Sequence, residues 1–158
     1  MTTPETSARA CLERTRSAVL NVLIGVGTAI ALSGVLLRWR DGAAAWRAAS
    51  RARRAMLAAL AILAILSYAL RRSASFGSSL LTPAEREGRF YRAHLRAAVV
   101  GALAVPLGLA YGWTIRPRLD AVSPFWVAAL ALGFLALPRA GELESLPPLE
   151  PDPSEPKP

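Results

Sequence analysis

Ala18-Val-Leu-Asn-Val-Leu-Ile-Gly-Val-Gly-Thr-Ala-Ile-Ala-Leu-Ser-Gly-Val-Leu-Leu37 is an unbroken run of uncharged residues bracketed by Arg16 and Arg38. As a helix, residues 18–37 cover about 30 Å, the thickness of a bilayer's hydrocarbon core. The stretch is expected to cross a membrane. The preceding residues 1–17 form a polar N-terminal segment with Glu5, Arg9, Glu13, Arg14 and Arg16, and lack the apolar core of a cleavable signal. The first span therefore reads as an uncleaved anchor.

Working outward, residues 55–70 form a second apolar block between Arg53-Arg54 and Arg71-Arg72. It is short, and snorkelling arginines extend its reach. Asp41 can cap a helix running from Ala43 through Leu70, since no Gly or Pro interrupts that interval. Arg47, Arg51 and Arg54 then share one face, either on lipid phosphates or against an acidic partner. Residues 73–81 are small and polar and read as a loop.

Thr82-Pro83-Ala84-Glu85 predicts a helix start: a capping threonine, proline at the first helical position, and a capping-box acid. Arg86, Arg89 and Arg96 follow at the membrane surface, with Phe90 and Tyr91 suited to headgroup level. A third span covers 97–115, with a kink expected near Ala102–Pro106 because Pro106 removes a backbone donor. Ser123-Pro124 repeats the cap-plus-proline signal, and a fourth, minimal span covers 121–137. The predicted fold is all-α, an integral membrane four-helix bundle built as two consecutive hairpins over residues 18–137. Residues 138–158, acidic and rich in proline, are expected to be a disordered tail. Gly34 to Asp41 and Gly112 to Asp120 echo each other, a weak hint of a duplicated hairpin.

Composition agrees with insertion. Hydrophobic residues make up 53% of the chain and lie in blocks, whereas soluble domains interleave about 45–50%. The net charge of +8 comes from arginines that mostly flank those blocks. This points to a bilayer with anionic headgroups as partner and not to nucleic acid. Near-balanced arginines on the two sides give only a lean towards both termini in the cytoplasm. The short Ala/Arg-rich chain suggests a bacterial inner (plasma) membrane.

Within the four blocks there is no Asp, Glu, Lys, Arg or His, so the usual marks of a proton or ion path are missing. Cys11 is the only cysteine and His94 the only histidine. Neither an intrachain disulfide nor a pair of haem-ligating histidines is possible, and no cofactor or metal is expected. Glu87 and His94, seven residues apart, are the one pair that could serve a membrane enzyme.

The remaining signal concerns packing. Gly25, Ala29 and Ser33, with Gly27, line the first span, and Ala104, Gly108 and Gly112 line the third. Small residues at such spacing let helix backbones approach closely, within the monomer, with another copy or with a different subunit. These features favour a non-catalytic accessory or assembly subunit of a larger membrane complex. The alternative is a small transporter or pore-forming homo-oligomer lined by Thr28, Ser33, Tyr111 and Thr114 and bent at Pro106.

Overall fold

The structure, a computed structural model, describes residues 4–39, 49–74, 81–115, 118–139 and 142. Among the described residues all regular structure is helical: α1 (Pro4–Trp39), α2 (Ala49–Arg72), α3 (Pro83–Ala102), α4 (Ala104–Thr114) and α5 (Leu119–Leu135). α3 and α4 form one rod interrupted at Leu103. Pro106 cannot donate to the Ala102 carbonyl, and the Leu103 N–H turns back to the Val100 carbonyl at 3.2 Å. The helical hydrogen bonding is therefore interrupted at Leu103, within the interval where the sequence placed a kink.

Ala8–Trp39, Ser50–Arg72 and Pro83–Thr114 are each long and apolar enough to cross a membrane. The chain is a membrane protein by this measure. Leu119–Leu135 is apolar but shorter, about 26 Å long against a hydrocarbon core of roughly 30 Å. Outward-facing Ile24, Leu32, Ile62, Ile65, Val127 and Phe134 give the bundle a large exposed apolar surface. Such a surface is a liability in water and an ordinary one against lipid. Trp39 and Trp113 are exposed at the far end of the bundle, the depth where indoles favour an interface.

Four layers of contacts fix the direction of each rod. Cys11 and Leu12 meet Phe90, Ala93 and Ala74. Val19 meets Ala97, Ala98, Ala136 and Leu70. Val26 meets Ala104, Val105, Ala129 and Leu60. Leu37 meets Tyr111, Ile115, Val122, Phe125 and Met56. α1 and the α3–α4 rod thus run parallel, side by side, with α2 and α5 antiparallel to both.

This arrangement differs from two consecutive hairpins. α3–α4 and α5 do form one, but among the described residues α1 makes no extended contact with its sequence neighbour α2. α1 packs on α3 and α5 instead, and α2 packs on the outer side of α3. Only 6% of α2's apolar window is buried, against 44% for the α3–α4 rod, so α3–α4 is the central element. Small residues explain the choice. Gly101 lies against Leu132, Gly108 against Phe125, Gly112 against Val122 and Leu37, and Gly133 against Leu23.

α3 begins as its sequence predicts. Thr82 caps it, the Glu85 N–H donates to Thr82 Oγ1 at 3.4 Å, and Thr82 N–H donates to Glu85 Oε2 at 3.0 Å. α5 does not. It begins at Leu119, and Ser123-Pro124 lies inside it. Pro124 cannot donate to the Asp120 carbonyl one turn back, and Ser123 Oγ donates there instead, at 3.1 Å. The pair repairs a helix interior where its sequence suggested a helix start.

Candidate functional site

Both α1 and α3 begin well before their apolar stretches. Residues 4–17 and 83–96 each add about 21 Å of helix, and being parallel they project together from the same end. Phe90, expected at the headgroups, is buried between them at 2% exposure. Its ring lies 4.4 Å from that of His94. The projecting pair has a core of its own, and that core claims the aromatic ring before lipid can.

On one side of this pair a cavity of about 400 Å³ is lined by Ala10, Cys11, Arg14, Ala84, Glu87, Gly88, Tyr91 and Arg92. Arg14 lies over the Tyr91 ring, 5.4 Å from its centroid, a cation–π contact. The Arg92 guanidinium lies along Gly88, where an added Cβ would come within 3.4 Å of it. Cys11 Sγ donates to the Glu87 carbonyl at 3.7 Å, and Thr15 Oγ1 donates to the Cys11 carbonyl at 2.7 Å. Further from the membrane, the hydrogen bonds from Thr82 hold the exposed Glu85 carboxyl below the usual carboxylate range.

The same end carries a second cluster. His94, 2% exposed, donates from Nδ1 to the Ala136 carbonyl at 2.7 Å. Its Nε2 lies 3.6 Å from Glu142 Oε2. Glu142 is paired with Arg71 and accepts from the Arg139 N–H at 3.3 Å. Two rods, α2 and α3, and the residues following α5 are tied at this point. In the membrane below, Ser67 Oγ donates to the Ala97 carbonyl at 2.9 Å, joining α2 to α3. At the opposite end, a cavity of about 230 Å³ lies among Arg53, Leu57, Tyr111, Asp120, Pro124 and Phe125.

The residues singled out in the sequence are distributed unevenly. Gly108 and Gly112 meet α5 and α1, Ala104 is fully buried, Ser33 is buried and Ala29 is half-buried. Gly25 and Gly27 are exposed, with nothing within 4 Å of an added Cβ. Arg51 and Arg54 are exposed, and Arg54 Nε donates to the Ser50 carbonyl of its own helix at 3.3 Å. Arg47 lies outside the described residues. Arg86 and Arg89 are half-buried and Arg96 exposed. Arg86 Nε is buried without a hydrogen-bond partner. Thr28 and Thr114 face outward, each hydroxyl donating to its own helix, to the Ile24 carbonyl at 3.0 Å and the Ala110 carbonyl at 2.7 Å. Ser33 and Tyr111 face inward.

Glu87 lines the α1–α3 groove, and the ring nitrogens of His94 face Ala136 and Glu142. Sequence reasoning missed Arg14, Arg71 and Glu142 as site residues. It also missed Gly101 and Gly133, although Gly101 precedes Gly108 by two turns on the same face. No known protein family matches the chain, and neither the curated proteins nor the solved structures include one significantly similar to it.

Proposed function

We propose that this chain is a non-catalytic accessory or assembly subunit of a larger membrane complex, multi-pass in a bacterial inner membrane with both termini in the cytoplasm. The supporting observation is the contrast among its glycines. Those of α3, α4 and α5 at positions 101, 108, 112 and 133 are consumed by packing within the chain. Gly25 and Gly27 leave open space on the outer face of α1, inside its apolar stretch. A glycine surface open to lipid permits another helix to come close. The basic arms at Arg51, Arg54 and Arg96 are exposed and supply polar contacts at the two membrane surfaces.

Purification in mild detergent followed by intact-complex mass spectrometry tests this reading. A different polypeptide should co-purify in fixed stoichiometry, and a Gly25→Leu/Gly27→Leu variant should lose it while keeping the thermal stability of the isolated chain. A lone monomer in both cases would refute it. A homo-oligomer alone would favour the pore reading, which draws less support. Thr28 and Thr114 spend their hydroxyls on their own helices, while Ser33 and Tyr111 point away from them into the bundle. For an enzyme using Glu87 and His94, support is weaker still, since the ring nitrogens of His94 face a backbone carbonyl and an ion-paired glutamate.

A further inference from the structure

We propose that the groove between α1 and α3 binds the phosphate of an anionic phospholipid. The inference rests on the helices crossing a bilayer, and it stands or falls separately from the assembly role. Val19 packs beside Ala97 and Ala98, so the apolar stretches of the two helices begin at one depth. Arg14 lies four residues before Ala18 and Arg92 five before Ala97. Both therefore stand about 6–8 Å outside the hydrocarbon edge, within a headgroup layer roughly 5–8 Å deep on each side. Two guanidinium groups at phosphate depth line one cavity of about 400 Å³, within the range of roughly 300–1,000 Å³ usual for small-ligand sites.

Three features set this groove apart from a merely basic surface. The Tyr91 ring orients Arg14. Gly88, having no side chain, leaves the Arg92 guanidinium room to lie along the helix. Glu87 lines the same cavity, leaving one surplus positive charge, which matches the single negative charge of a phosphodiester. Arginine pairs bind phosphate oxygens in a fixed fork geometry, and basic pockets between membrane helices are where anionic headgroups dock. Free phosphate shares that chemistry, but the depth of the groove places it where lipid phosphates are concentrated.

The test uses the full chain in mild detergent, titrated with phosphatidylglycerol and followed by intact-protein mass spectrometry. One lipid should survive activation that strips the rest. Arg14→Gln/Arg92→Gln should weaken its retention at least about tenfold. Arg16→Gln/Arg96→Gln removes the same charge from positions on the same helices that do not line the groove and should change it less than about twofold. Ala84→Phe keeps both arginines and fills the groove from an exposed position. It should also lose the lipid, and it decides the matter if the double variant does not fold. Equal losses in both double variants would overturn the proposal, as would retention of the lipid by Ala84→Phe. Displacement of the lipid by millimolar inorganic phosphate, which then binds alone, would overturn the lipid source.

Discussion

At Gly108 an added Cβ would lie 2.7 Å from Phe125 Cβ, whereas at Gly25 it would meet nothing within 4 Å. The two glycines therefore predict opposite behaviour. Gly108→Leu should destabilise the detergent-solubilised chain by about 1–3 kcal/mol or more through overpacking. Gly25→Leu should leave it within about 0.5 kcal/mol. Thermal unfolding of the two variants checks both. The Arg71–Glu142 pair gives a second prediction. Removing either partner alone should cost about 1.5–3 kcal/mol, and removing both less than the sum. Strict additivity in a double-mutant cycle would mean the pair is not formed. At Thr82 the sign is set by Glu85. Its folded-state pKa is depressed, so the capping contribution is complete above the ordinary carboxylate pKa and fades as pH falls through the lower folded value. Thr82→Ala should therefore weaken the start of α3 at neutral pH and matter less in acid, as read by amide exchange over residues 83–88.

Among elements, α5 carries a test of the proline repair. Ser123→Ala should cost about 0.5–1.5 kcal/mol with Pro124 present. With Pro124→Ala the restored amide can serve the Asp120 carbonyl, and the same serine change should cost nearly nothing. Equal costs in the two backgrounds would show that Ser123 does not compensate for the proline. The same element marks where sequence reading stops. A charge-free run and a Thr-Pro-x-Glu start are local, and both were legible at residues 18–37 and 82–85. Whether Ser123-Pro124 begins a helix or mends one depends on where the chain before it turns, and Ser-Pro alone does not say. Partner choice between rods was equally hidden. Loop order suggested that α1 would lie on α2, but complementary surfaces at Gly112 and Leu37, and at Gly133 and Leu23, bring α1 to α4 and α5. Contacts between residues as distant as Arg14 and Tyr91, or His94 and Glu142, have no sequence spacing that could announce them. The groove was therefore invisible until the helices were placed.

For the whole molecule, the apolar surface and the basic end make separate predictions about access. Cysteine placed at Ala84 in the Cys11→Ser background should react with a membrane-impermeant maleimide in vesicles of the matching orientation. Cysteine at Ile62 should not, although Ile62 is 63% exposed in the isolated fold. Ready labelling at position 62 in intact vesicles would mean that the surface faces water. Finally, His94 finds its partners, the Ala136 carbonyl and Glu142, beyond α5, the first of them 42 residues further along the chain. Ribosomes release α1, α2 and α3 while that polar ring still lacks both. Insertion can thus proceed span by span, yet the projecting end stays unlatched until translation passes position 142. A chain stopped before position 136 should therefore leave the His94 ring without either partner, and amide exchange over residues 90–96 should be faster than in the full chain.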